Sequence, residues 1–287
     1  MRTVRAPTRA DVVAAAERIR PYLAPTPLIG NLKLETLQPT GSFKVRGALN
    51  ALLQSDDAVV TASAGNFGLG IAWAARRLGV GATVVVAETA SPAKIEALRR
   101  FDIELVVHGA DYDAAERHAL SLPGRYVSPY NDTAVIAGAG TIALELPEGV
   151  ETIVVPIGGG GLAAGIALAT DAHVVGVVPS AFPAMRVALE HGRVVEIDGS
   201  RTIADALHGN IEPGSVTVEM SRGLEIVEVT EEQIEESMRR LVRDHGLVTE
   251  GAGAAAFAAG IDGVAIVSGR NVTRETFAAV LQRGAGG

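Results

Sequence analysis

Residues 38–54 read QPTGSFKVRGALNALLQ. Pro39, Thr40 and Gly41 suit a turn, Ser42 is a good N-cap, and an apolar helix follows. Lys44 then falls in the first helical turn, where the helix macrodipole presents positive charge and lowers the pKa of an amine. Such an amine can form a Schiff base or act as a general base. The competing reading is a solvated lysine at a helix start. Lys33 in NLKLE and Lys94 in SPAKIEAL read as ordinary solvent-facing residues.

A second candidate is the run Gly158, Gly159, Gly160, Gly161 and Leu162, set between the apolar TIVVPI and the helical LAAGIA. Glycine lets backbone N–H groups converge on an anion at a helix N-terminus. One or two glycines suffice for a tight turn, so four favour a phosphate. A nicotinamide dinucleotide fits poorly. Gly158, Gly160 and Ala163 match GxGxxA, but the following strand ends in Val178, Pro179 and Ser180, with no acid for a ribose. The unit ending in Glu88 has the acid, but its glycines at 65, 68 and 70 do not fit that fingerprint.

Two weaker candidates remain. Ser63-Ala64-Gly65-Asn66-Phe67-Gly68 offers N–H, hydroxyl and amide groups to a carboxylate, or is a plain strand–helix turn. Ser268 ends the run VAIV before Gly269, Arg270 and Asn271, the kind of strand end where ligands bind in open α/β sheets.

Elements must position these groups. Apolar, β-branched runs at 58–62, 82–87, 104–108, 152–157, 174–178, 225–229 and 264–267 predict buried strands. Helical stretches lie between them. Thr8 with Asp11 and Thr230 with Gln233 suggest capping boxes, and Ser91-Pro92 gives an N-cap followed by proline at N1. Alternation with short connections predicts an α/β protein with mostly parallel sheets.

Composition removes other classes. Cysteine is absent, so disulfides and thiolate chemistry are excluded. The six histidines never take metal-motif spacing. A net charge of −8 without a basic run argues against nucleic acid. No apolar run is long enough for a membrane span, and the N-terminus lacks an apolar signal core, so a cytoplasmic protein is expected. Lysine occurs only three times among 25 basic residues, which singles out each lysine, although a genome-level bias towards arginine explains most of the skew.

Taken in order, TGSFKVRGA, SAGN, IAGAGTIALE at 136–145, GGGGL, EGAGAAA at 250–256 and SGRN resemble the serine/threonine dehydratase (ammonia-lyase) group of the fold type II pyridoxal-phosphate enzymes. The resemblance runs from about Thr26 to Asn271. It implies two open, mostly parallel α/β domains, tryptophan synthase β-like, with pyridoxal 5'-phosphate in the cleft between them. The large domain would take 1–55 plus 133–287, and the small one 56–132. Lys44 would hold the cofactor as a Schiff base, with Phe43 beside the ring and Gly158–Leu162 around the phosphate. Asn66 would face the ring hydroxyl and Ser268 the pyridine nitrogen, while Ser63, Asn66 and Phe67 would meet the substrate. The implied reaction deaminates a β-hydroxy amino acid. Lys44 removes the α-proton, the β-hydroxyl leaves, and hydrolysis gives a 2-oxo acid and ammonia. A serine at the pyridine nitrogen suits elimination, because a neutral ring is a weaker electron sink. A homodimer is expected.

The sequence also departs from the family pattern. Phe67, Leu69, Ala139 and Arg270 replace the usual His, Gln, Gln and Gly, and each is expected beside the substrate pocket, so a different or bulkier substrate is an alternative. Val178 replaces the Glu that begins a divalent-cation site in several members, so no metal is expected. Ala64 stands where racemising relatives place a Ser, which favours elimination over racemisation. Only 16 residues follow Asn271, so no regulatory domain is expected there. A racemase, a β-replacement synthase and a dinucleotide-binding protein without pyridoxal phosphate are the remaining alternatives.

Overall fold

The computed structural model describes residues 3–283. Among the described residues ten strands form two sheets: β1 (Leu28–Ile29), β2 (Leu32–Leu34), β3 (Val59–Ala62), β4 (Ala82–Val86), β5 (Glu104–Val107), β6 (Arg125–Tyr126), β7 (Thr152–Pro156), β8 (His173–Pro179), β9 (Glu225–Val229) and β10 (Val264–Val267). One sheet has the order β1-β2-β10-β7-β8-β9 and the other β5-β4-β3-β6. Every pairing is parallel except β1 with β2. Parallel strands need crossovers, and helices supply them and cover the faces, which is why these strands read as unbroken apolar runs. The predicted strands lie where expected. The short β1, β2 and β6 were not predicted, since two or three residues show no period.

The predicted helix starts at Thr8, Ser91 and Thr230 hold, with reciprocal capping boxes at the first and last. Ser42 does not cap its helix. The helix Lys44–Leu52 begins without a side-chain cap, because Ser42 is drawn into an isolated antiparallel bridge with Gly269. The N–H of Phe43 donates to Ser268 O at 3.0 Å, and Arg270 N–H donates to Gly41 O at 2.9 Å. Residues 41–43 are thus zipped to residues 268–270.

Small residues bring three helices together. The helix Thr133–Gly140 packs on both Lys44–Leu52 and Gly161–Ala169. A Cβ on Gly138 would stand 2.7 Å from Arg46 O, and one on Gly165 would stand 2.3 Å from Ile136 O. Backbones this close exclude side chains, which accounts for the IAGAG sequence. The packing fixes the start of the lysine helix relative to the start of the glycine-run helix.

Lys33 is not solvent-facing. It is 0% exposed in the middle of β2, where Nζ donates to Thr26 O at 2.7 Å and to Glu145 Oε2 at 2.6 Å. Arg46 binds Glu35 through Nε and Nη2, both at 2.8 Å, and donates to Glu145 Oε2 at 2.8 Å. The buried Lys33, Arg46 and Glu35 and the partly exposed Glu145 are therefore joined in one network, a condition that makes burying charge tolerable.

Candidate active site

A cavity of about 560 Å³ opens at the carboxyl ends of β3, β7 and β10. Ligands of open α/β sheets bind at strand ends of this kind. Lys44, Ser63, Asn66, Phe67, Gly158 and Gly159 line it. Residues separated by more than a hundred positions thus share one wall.

Lys44 is half-buried and is the first residue of its helix. Its Nζ donates to Pro129 O at 2.7 Å and lies 5.1 Å from the Phe43 ring centroid and 5.8 Å from that of Phe67. Burial lowers the amine to about 8, against a smaller upward pull from the Glu250 carboxylate. A free-base population therefore exists near neutral pH. Desolvation carries this shift, a cause that the position at a helix start did not reveal.

The glycine run follows β7. Gly160 has φ +87° and opens the helix Gly161–Ala169. The others are glycine because their surroundings are full. A Cβ on Gly159 would meet the Tyr130 ring at 2.4 Å, and one on Gly161 would meet Tyr130 O at 2.8 Å. Leu162 is buried in the core beneath. The loop is thus closely walled, and Gly158 and Gly159 line the cavity whereas Gly160, Gly161 and Leu162 do not.

Asn66 begins the helix Asn66–Leu78. Its Nδ2 donates to Glu250 Oε1 at 2.7 Å, and its Oδ1 accepts from Asn271 Nδ2 at 2.6 Å. Ser63 Oγ accepts from Gly65 N–H at 3.3 Å in the same loop. Ser268 lies just behind the wall rather than on it; it is buried, with Oγ donating to Ala252 O at 3.3 Å.

The four departures from the family pattern separate. Phe67 and Leu69 line the cavity, although Phe67 is only 2% exposed and packs mainly in the core under the smaller sheet. Ala139 and Arg270 do not line it, which corrects their expected placement beside the pocket. Ala139 is buried where helices cross, and Arg270 points into solvent. Val178 is buried in β8.

Three contributors were not assigned from sequence. Glu250 lines the cavity, although EGAGAAA had suggested no role for it. Tyr130 walls the glycine run, and Lys94, read as solvent-facing, reaches across the mouth to Asp205 at 2.6 Å. None of these juxtapositions has a local sequence signal.

The family described as pyridoxal-phosphate dependent enzyme matches residues 20–274. The chain is 36% identical over 318 aligned positions to the catabolic L-threonine dehydratase TdcB of Staphylococcus aureus, covering 96% of this chain and 92% of that one. The processed form of threonine deaminase isoform 2 from Solanum lycopersicum superposes with a TM-score of 0.87 at 27% identity, covering 99% of this chain and 92% of the other. Maize serine racemase superposes with a TM-score of 0.88 at 25% identity, covering 98% of both chains.

Proposed function

The chain belongs to the family of pyridoxal-phosphate dependent enzymes, and we propose that within it the protein is a deaminating lyase acting on a β-hydroxy amino acid such as threonine or serine. What carries this reading is the 36% identity to a catabolic L-threonine dehydratase over 96% of the chain. The cavity supports it with a suitable set of groups.

These residues fit the cofactor. An amine lowered to about 8 by burial stands on the wall of the cavity that the glycine run also lines. Lys44 would hold the cofactor, with Phe43 beside it. Backbone N–H groups of Gly158, Gly159, Gly160, Gly161 and Leu162 would take the phosphate. Asn66 would face the ring hydroxyl, and Ser268 the ring nitrogen. When bound, pyridoxal phosphate supplies an aldehyde that captures amines and a ring that withdraws electrons from the α-carbon.

The remaining chemistry falls to side chains. Ser63 and its loop would orient the substrate carboxylate, placing the α-hydrogen within reach of Lys44 Nζ. As a free base, that nitrogen would take the α-proton. The ring of Phe67, with its centroid 5.8 Å from the amine, lies on the same wall. Ala64 lines the cavity and carries no exchangeable proton, so position 64 offers no second acid for the opposite face. This favours elimination over the racemisation that the name of the maize neighbour denotes.

The two sheets support a division into a large unit, 1–55 plus 133–287, and a small one, 56–132. We take the working form to be a cytoplasmic homodimer, which sedimentation would test for assembly. No helix among the described residues is long and apolar enough to cross a membrane. The deciding experiment incubates the protein and pyridoxal phosphate with a panel of β-hydroxy and other amino acids and assays ammonia and 2-oxo acid. Ammonia and 2-oxo acid from threonine or serine is the expected result. Absence of both from every β-hydroxy substrate would overturn the reading.

A further inference from the structure

Glu250 occupies the N-cap position of the helix Gly251–Ala258, yet its side chain makes no capping bond. The carboxylate turns instead into the cavity, at 4% exposure. Asn66 Nδ2 donates to Oε1 at 2.7 Å. Space has been cleared for it. A Cβ on Gly269 would stand 2.3 Å from Glu250 Oε1. A side chain at 269 and the carboxylate cannot both be present without movement, so the Ser268–Asn271 turn is shaped around Glu250.

The hydrogen bonds have a fixed direction. Asn271 Nδ2 donates to the backbone oxygen of Thr40 at 2.8 Å and to Asn66 Oδ1 at 2.6 Å. A backbone carbonyl can only accept, so Asn271 must present its nitrogen, and Asn66 must then present its oxygen to Asn271. The nitrogen of Asn66 is thereby turned towards Glu250, where only an acceptor will do. One N–H of Asn66 is used on Glu250, and the second remains for the cavity.

We propose that Glu250 is a positioning residue for the cofactor, fixing the Asn66 amide as a donor towards the ring and placing a carboxylate in the same cavity as the Lys44 nitrogen. This rests on the reading that Lys44 holds pyridoxal phosphate with Asn66 at the ring hydroxyl. Glu250 is itself titratable in the working range. Burial and then the Asp205 carboxylate push its carboxyl up to about 7, opposed by Asn66, by Lys94 and by the Asn271 N–H. The Glu250 carboxylate in turn pulls the Lys44 amine upwards. Asp205 and Lys94 are thus the charged groups to which it responds, and Lys44 is the group that responds to it. Removing its negative charge should lower the proton affinity of the Lys44 nitrogen.

The test is a spectrophotometric pH titration of the protein loaded with pyridoxal phosphate. Glu250→Gln keeps an acceptor for Asn66 and removes the charge. Its visible band should titrate with a midpoint lower by about one pH unit than that of the unchanged protein, the scale of a nearby opposite charge. Gly269→Ala, which drives a methyl group into the place of Oε1, should shift it in the same direction and serves if Glu250→Gln does not fold. Midpoints unmoved in the folded variant would overturn the inference. Loss of the inference alone is distinguishable from loss of its premise. A visible band present in the unchanged protein and abolished by Lys44→Ala upholds the premise, whereas absence of any Lys44-dependent band overturns both.

Discussion

The ring of Tyr130 lies where a side chain at position 159 would have to go, with only 2.4 Å between its Cγ and a Cβ built on Gly159. The ring is held there because its hydroxyl accepts the Glu212 N–H at 2.8 Å. Gly159 has no positive φ, unlike Gly160. Its identity is set by a neighbour brought from another part of the chain, and the glycine loop is therefore moulded against Tyr130.

Gly159→Ala should destabilise the protein by about 1–3 kcal/mol, the usual cost of overpacking a filled site. It should also weaken pyridoxal phosphate binding. Denaturant unfolding and a fluorescence titration with the cofactor measure the two effects, and an alanine tolerated in both would show that Tyr130 moves freely.

Lys44→Ala should abolish covalent cofactor attachment and turnover. Lys33 is sequestered by Thr26 and Glu145, and Lys94 by Asp205. Borohydride reduction followed by peptide mapping should mark Lys44. A label on Lys94 would show that the cavity is occupied differently.

The amine of Lys44 lies near 8. Protonated nitrogen cannot attack an aldehyde, so the rate of cofactor capture should fall about tenfold per pH unit well below that value and level off above it. Stopped-flow mixing with pyridoxal phosphate across pH 5–10 reads this out. A profile still rising steeply above pH 9 would place the amine at its ordinary value.

Arg46→Met should cost about 3–5 kcal/mol, because the fully buried Glu35 loses its cationic partner while staying out of water. The same network gives an acid limb to stability. Burial pushes the Glu145 carboxyl up, but Arg46 and Lys33 together hold it below its ordinary value. Its contribution is present above the unfolded carboxylate pKa and is lost as pH falls through the lower folded one. Urea unfolding midpoints of both proteins as a function of pH should converge in acid; parallel curves would contradict this.

Elimination should outpace racemisation, since the loop position beside the cavity is Ala64. Chiral chromatography of residual substrate during turnover tests this. Opposite enantiomer accumulating as fast as 2-oxo acid would identify another proton donor.

Strand runs, capping boxes and the glycine run are local signals, and they fixed the α/β class, most element positions and the two segments that meet at the cavity. Lys44 was legible because its turn, helix start and apolar flank lie within a few residues. Lys33 was not, because burial depends on partners from 26, 35, 46 and 145 that only folding assembles. Ser42 misled for the same reason: its N-cap geometry is local, but the bridge to Gly269 comes from 227 residues away. Glu250 and Tyr130 belong to this second class. A carboxylate's surroundings and a glycine's crowding are set by side chains that arrive through space, whereas period, capping and turn chemistry are set along the chain.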